Sequence, residues 1–377
     1  MSKRATRASA YLGLRVRWAL FLLFGLLVII AGRGLLTVGW PAAAADSWAL
    51  LATCVLVAQL AGLWFDLSRN FSGKKGKLLP GFGPGTWLSL LRMLALSLMA
   101  GFLWPPRPAG WLAWLPFWLY LFFNLADLAD GYAARACGMI TRLGEKLDLA
   151  LDGRGVLAAT LLAYHYGAVG WWFVVVGLAR YLFVLAAWVQ SRLGRTFELQ
   201  VNPLRRPLAG AQMGIGVALL APQLPNAVTF FVATFSMFPF VGNFVFDWLA
   251  AAGWLRFKKG AQPGGAWLAL SDWGSVFARV ALAAFLTWRV LGAQAGVYVV
   301  LDVILGLVLL FGLAGRTAAF ALLVETGFRL QNEPVQARDF AILFVGLILL
   351  YLGTGAFSLR PFKEGWIFQH WGIRRRA

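Results

Sequence analysis

The chain has 377 residues, 60% hydrophobic and 13% charged, with 30 Phe and 19 Trp. That balance excludes a soluble globular domain and predicts an all-α polytopic membrane protein. The net charge of +19 does not point to nucleic acid: Lys and Arg sit in short loops between apolar runs, and no soluble basic domain carries them.

In chain order, a basic N-terminus (Lys3, Arg4, Arg7, Arg15, Arg17) precedes an apolar run over 18–31. The apolarity continues through 34–40, which predicts an uncleaved first span rather than a signal peptide. Runs of about 20 residues, enough to cross a bilayer, lie near 18–38, 47–66, 86–104, 110–130, 146–166, 169–190, 207–223 and 227–252. Four shorter ones lie near 275–292, 295–314, 316–330 and 338–355. Twelve helices in a two, six and four arrangement follow. The runs are continuous rather than alternating, so a closed barrel is excluded. Every second loop is basic (Arg69, Lys74, Lys75 and Lys77; Arg135, Arg142 and Lys146; Arg192, Arg195, Arg205 and Arg206; Arg256, Lys258 and Lys259; Arg316; Arg360 and Lys363). The positive-inside bias therefore puts both termini on the cytoplasmic side, of the inner membrane in a bacterium. Residues 258–265, Lys-Lys-Gly-Ala-Gln-Pro-Gly-Gly, read as a linker. The expected domains are 1–79 (two helices and a basic loop), 80–259 (a six-helix core), 260–272 (linker) and 273–377 (four helices and a basic tail). Cys54 and Cys137 form no CxxC pair or disulfide framework.

Of 15 acidic residues, five (Asp127, Asp130, Glu145, Asp148, Asp152) fall in one short window. An ionised Asp in a spanning helix costs about 2.5–3.5 kcal/mol on insertion scales, so such a cluster calls for partners. On a helix turning about 100° per residue, Asp127, Asp130, Gly131, Ala134 and Arg135 share one arc. Gly144, Asp148 and Asp152, four apart, share one face of the next helix. A tight hairpin then presents four Asp side chains to a common space, with small residues beside it for a ligand. An all-oxygen set without His or Cys suits two hard ions, Mg²⁺ or Mn²⁺, and not zinc. Four Asp against one or two Arg leave excess negative charge, which argues against a purely structural ion-pair cluster.

The pattern Asp127-x2-Asp130-Gly131-x2-Ala134-Arg135-x8-Gly144-x3-Asp148-x3-Asp152 resembles, at every fixed position, the signature of the CDP-alcohol phosphatidyltransferase family. Residues 84–92, Pro-Gly-Thr-Trp-Leu-Ser-Leu-Leu-Arg, resemble that family's entry to its first core helix, with Gly85 and Ser89 where Asn and Thr are usual. The resemblance covers about residues 80–260. It implies that Asp127, Asp130 and Asp148 hold the metal pair, with Asp152 close to it and acting as the base. It also implies that Gly131, Ala134 and Gly144 make room for a cytidine nucleotide that Arg135 contacts. The implied reaction transfers a phosphatidyl-type group from a CDP-diacylglycerol-type lipid to an acceptor alcohol with release of CMP, in a homodimer among membrane lipids.

Arg154, Arg180, Arg205 and Arg206 predict an acceptor that carries its own phosphate, such as glycerol 3-phosphate or an inositol phosphate. Residues 207–213 read Pro-Leu-Ala-Gly-Ala-Gln-Met, without the Gly-Lys pair that family members often carry there. A rival reading, from a different class, is an ion-coupled transporter or lipid-binding protein with the Asp cluster as its ion site. Residues 273–360 are similar to a four-helix DoxX-like membrane domain through 312–323 and 340–359. There Asp302 and Glu325 are expected to pair with Arg279 and Arg289.

Overall fold

The computed structural model describes residues 3–71, 76, 78–194, 202, 205–254, 265–291, 297–313, 315–331, 334–353 and 355. Among them are twelve α-helices and no strand: α1 (Lys3–Leu36), α2 (Ala42–Asp66), α3 (Pro84–Ala100), α4 (Leu115–Ala136), α5 (Arg142–His165), α6 (Val174–Arg192), α7 (Arg205–Leu219), α8 (Asn226–Ala251), α9 (Gly265–Leu291), α10 (Val297–Leu310), α11 (Gly315–Arg329) and α12 (Ala337–Leu352). Each coincides with one expected span.

Seven described helices are long and apolar enough to cross a membrane alone: those over 8–36, 42–69, 84–103, 110–136, 171–192, 226–251 and 273–291. This is an integral membrane protein. α5 is absent from the seven for a chemical reason. Arg142, Glu145, Lys146, Asp148, Asp152 and Arg154 all lie in the stretch from its first residue to Arg154. α11 has 15 residues, and at a 1.5 Å rise it measures about 22 Å, short of a hydrocarbon core of about 30 Å.

The chain divides into two compact units, residues 1–167 with 220–222, and residues 168–219 with 223–377. The first unit is built around α3, which packs on α2, α4 and α5; 72% of its spanning window is buried, against 33% for α2 and α4. Small residues let its helices close up. A Cβ on Gly25 would stand 2.6 Å from Leu56 Cδ2, and one on Gly32 2.8 Å from the Trp48 ring. Side-chain hydrogen bonds cross between helices: Trp18 Nε1 donates to Leu60 O (2.9 Å) and Gln59 Nε2 to Ser97 Oγ (2.8 Å).

The second unit holds α6–α12. α12 packs on α8 through Phe231 and Phe340 (ring centroids 4.9 Å) and Phe235 and Phe344 (5.2 Å), and Tyr351 Oη donates to Ser236 O at 3.3 Å. Of the expected linker, residues 260–264 lie outside the described residues, while α9 begins at Gly265 and so takes up 265–272. Arg289 on α9, Asp302 on α10, and Glu325 and Arg329 on α11 form a closed network. Arg289 donates to both Asp302 oxygens and to Glu325 Oε1 (2.8 Å), while Arg329 reaches Glu325 Oε1 (3.1 Å) and Asp302 Oδ2 (3.0 Å). The Arg289 pairing is as expected; Arg329 is the member that the sequence reading did not name. Two cations balance two anions, so this network is satisfied from within.

Candidate active site

The signature residues stand on a hairpin whose geometry is set by local chemistry. α4 ends in a Schellman motif: Met139 N donates to Ala134 O (3.0 Å) and Gly138 N to Arg135 O (3.1 Å), with Gly138 at φ +63°. That left-handed conformation favours glycine and stops the helix directly after the α4 part of the signature. α5 starts three residues beyond Met139. Its N-cap is Thr141, whose hydroxyl accepts from Gly144 N at 3.0 Å. The gap between Arg135 and Gly144 is therefore one helix stop and one helix start.

The four aspartates converge, and what they converge on is Arg92 of α3. Its Nη1 lies 2.7 Å from Asp127 Oδ1, 3.0 Å from Asp130 Oδ2 and 2.9 Å from Asp148 Oδ1, and its Nη2 donates to Asp152 Oδ1 at 2.8 Å. The Arg92 side chain has no solvent exposure. Its guanidinium carbon sits 4.7 Å over the Phe123 ring, a cation–π contact. Gly155 on α5 makes room for that ring, since a Cβ there would stand 2.5 Å from Phe123 Cε1. Ser89, one turn before Arg92, donates to Asp130 Oδ2 at 3.0 Å.

The carboxylates are not equivalent. Asp127 and Asp130 are 8% exposed, whereas Asp152 is 36% and Asp148 48% exposed. α4 thus supplies a buried pair and α5 an accessible one. Oxygens of Asp127, Asp148 and Asp152 lie within 4.8 Å of one another, close enough to share a cation; Asp130 instead turns to Ser89 and Arg92. Four carboxylates against one guanidinium leave three negative charges in excess, and the donors are all oxygen. This set fits hard divalent cations, as the sequence reading expected, with Mg²⁺ and Mn²⁺ equally suited.

The small residues divide between two tasks. A Cβ on Gly131 would meet Arg135 Nη1 at 3.1 Å, so the exposed Arg135 guanidinium lies over Gly131. Ala134 has a packing role: a Cβ on Gly85 would stand 2.8 Å from both Ala134 Cβ and Asp130 O, so α3 and α4 touch backbone to backbone here. Gly144 lies between two hydroxyls, its would-be Cβ 3.3 Å from Thr141 Oγ1 and 3.7 Å from Thr86 Oγ1.

Of the expected acceptor residues, Arg154 is exposed on α5. The others belong to the second unit: Arg180 is half-buried on α6, and Arg205 opens α7. Arg205 Nε donates to Asp247 Oδ2 at 2.9 Å, and Asp247 Oδ1 accepts from Asn202 Nδ2 at 2.8 Å. The side chain of Arg206 lies outside the described residues. Arg92, Ser89, Phe123 and Asp247 were not among the sequence candidates. The signal for Arg92 was present, as an arginine in the middle of an apolar span.

A family model described as CDP-alcohol phosphatidyltransferase matches residues 85–253. A protein of Yersinia enterocolitica serotype O:8 / biotype 1B, named CDP-diacylglycerol--glycerol-3-phosphate 3-phosphatidyltransferase, is 29% identical over 146 residues, spanning 36% of this chain and 75% of the relative. The protein of the same name from Yersinia pestis strain Pestoides F is similar to the same extent. No solved structure matches the chain.

Proposed function

We propose that this chain, whose residues 85–253 match the CDP-alcohol phosphatidyltransferase family model, moves a phosphatidyl group from a CDP-diacylglycerol-type lipid to a phosphorylated polyol, releasing CMP. Phosphatidyl transfer in phospholipid synthesis is the family's activity. The observation that carries the finer reading is the meeting of four aspartates on one face of the α4–α5 hairpin, around the Arg92 guanidinium that all four share.

Asp127, Asp148 and Asp152 would hold divalent cation, with Asp130 at their edge. When bound, such ions neutralise the diphosphate of the donor and stabilise the departing CMP phosphate. Asp152, accessible from outside the bundle, takes the proton of the acceptor hydroxyl as its oxygen attacks the lipid-linked phosphorus. One P–O bond forms to the acceptor and the P–O bond to CMP breaks. Gly131 and Arg135 receive the nucleotide. Arg92 keeps the aspartates aligned, since an Arg bonded to several carboxylates fixes each of them.

A phosphorylated acceptor is supported by Arg180, an arginine inside an apolar segment, with Arg154, Arg206 and Arg205 (which also pairs with Asp247) as further contacts. It is also supported by the name of the Yersinia relatives, which specifies glycerol 3-phosphate. The alternation of basic loops supports a cytoplasmic position for the hairpin.

The test is mass-spectrometric analysis of products from purified protein in nanodiscs with CDP-diacylglycerol and a panel of acceptors, with Mg²⁺, with Mn²⁺ and in chelator. The reading expects a phosphorylated polyol as the best acceptor and no CMP release in excess EDTA. It also expects Arg180→Ala to raise the acceptor KM far more than that of the CDP-lipid. Undiminished CMP release in chelator overturns the metal site; preference for free inositol or serine overturns the acceptor assignment.

A further inference from the structure

The matched segment starts at residue 85, yet the carboxylate hairpin is tied down by residues that precede it. Asp66 closes α2, and its Oδ1 and Oδ2 accept from Lys146 Nζ at 2.8 and 2.6 Å. Lys146 stands two residues before Asp148. Phe71 O accepts from Arg142 N, the first residue of α5, at 3.4 Å, and the Arg142 guanidinium lies 5.2 Å over the Phe71 ring. Between these points is Asn70, fully buried, whose Nδ2 donates to Leu79 O (3.2 Å) and Gly81 O (3.0 Å) and whose backbone carbonyl accepts from Leu79 N (2.9 Å). From α1, Arg17 Nη1 donates to Pro80 O at 2.8 Å. Gly13 allows the approach, since a Cβ there would lie 2.7 Å from that oxygen. Gly83, at the entry to α3, presses against the α4–α5 turn, where a Cβ would meet Met139 Cβ at 3.1 Å.

Two independent ties therefore run from the end of α2: one to the start of α3, which carries Ser89 and Arg92, and one to the start of α5, which carries Asp148 and Asp152. They matter because α4 and α5 touch each other far less than α4 touches α3. The depth of Asp148 and Asp152 relative to Asp127 is not fixed by contact between their own helices. A site whose supporting shell is loose loses affinity and rate through displacements of about 1 Å.

We propose that α1, α2 and the loop that follows them are a brace for the carboxylate site, in which Asp66 and Asn70 are positioning residues for divalent-cation binding and hence for transfer. The inference rests on the metal-site reading above. The extra helices then serve the chemistry of the matched segment without contributing a group to it.

The experiment uses the full chain in nanodiscs and reads Mn²⁺ affinity by electron paramagnetic resonance beside transfer kinetics. Asn70→Ala is expected to weaken Mn²⁺ binding by about tenfold, the usual effect of removing an outer support of a metal site. Asp66→Asn is expected to weaken it by about threefold, as suits a half-exposed pair, and Asp66→Glu to restore it. Arg33→Ala is the control. It breaks the Arg33–Asp46 pair (2.5 Å) that joins α1 to α2 at their other ends, and should leave Mn²⁺ affinity unchanged. Wild-type affinity in both Asn70→Ala and Asp66→Asn overturns the brace, and so does an equal loss in Arg33→Ala. If Asn70→Ala does not fold, the Asp66→Asn and Asp66→Glu pair decides. Asp127→Asn separates the two levels: if it leaves Mn²⁺ binding intact, the metal-site reading fails and the brace falls with it.

Discussion

Arg92 donates to Asp152 across 2.8 Å, from a side chain with no exposure to one that is 36% exposed. The bond joins α3 to α5 and is one of four by which a single guanidinium holds aspartates from two helices. Removing one partner of a buried ionic group costs about 3–5 kcal/mol, because the remaining charges are left uncompensated. Arg92→Met should therefore unfold at a markedly lower temperature than wild type in chelator. Mn²⁺ should recover more of the loss in the variant than it adds to wild type, since the ion supplies the missing positive charge. Thermal unfolding in detergent with and without Mn²⁺ measures this. Equal metal-induced shifts in the two proteins would show that Arg92 and the cation do not share the carboxylates.

Gly85 sets how closely α3 and α4 approach. A Cβ there meets Ala134 Cβ and the Asp130 carbonyl oxygen, both at 2.8 Å, and neither is the flexible end of a side chain. Gly85→Ala should push the helices apart, costing about 1–3 kcal/mol and lengthening the reach from Arg92 to Asp130. Combining it with Ala134→Gly removes one clash and leaves the carbonyl one, so the double variant should recover part of the stability. Denaturation of the three variants, with transfer rates, checks the order wild type, double, single.

The helices and the aspartate cluster were legible because both write a local signal: continuous apolar runs in the one case, and carboxylates at helical spacing amid small residues in the other. The tight hairpin was legible, but the residues that set its helix ends, Gly138 and Thr141, were not read from the sequence. Arg92 was visible as the last residue of the 84–92 motif and as an arginine in an apolar run, but its role was not, because that depends on three helices meeting, and no spacing within one helix encodes it. Asp247 and Asn70 were missed for the same reason. Their partners lie 42 and 11 residues away. The Gly- and Pro-rich stretch at 258–265 reads as a separator, yet α12 returns to stack on α8 through Phe340 and Phe344. Aromatic side chains in a membrane helix look alike to a sequence reading whether they face lipid or another helix.

The Arg289, Asp302, Glu325 and Arg329 network is balanced and buried, with Asp302 fully enclosed. Glu325→Gln leaves two arginines facing one carboxylate, and should destabilise by about 3–5 kcal/mol. Because the network lies beyond the matched segment, the KM for the CDP-lipid should stay at its wild-type value in the fraction that folds. Replacing Glu325 and Arg329 together by Leu and Met removes one charge of each sign, and should cost less than the single change. Unfolding temperatures of the single and double variants, read with KM, test this. A double variant less stable than the single would mean that the network's geometry, rather than its balance, holds these helices.

Asp127 and Asp152 are separated by accessibility, at 8% and 36% exposure, and this divides their roles. A base that takes the acceptor's proton must be reached by the acceptor, which favours Asp152; a residue that only anchors cation is best enclosed, which suits Asp127. An amide keeps one oxygen for coordination and cannot accept the proton at neutral pH. Asp152→Asn should therefore retain most Mn²⁺ and CDP-lipid binding while turnover falls by about two to four orders of magnitude. Asp127→Asn should weaken Mn²⁺ and donor binding together with turnover. Mn²⁺ titration by electron paramagnetic resonance, donor KM and kcat, measured on both variants, provide the comparison. Equal losses of Mn²⁺ affinity in the two would show that Asp152 is held to the cation as tightly as Asp127, and the proton would then have to leave through Asp148, the other accessible carboxylate of the hairpin.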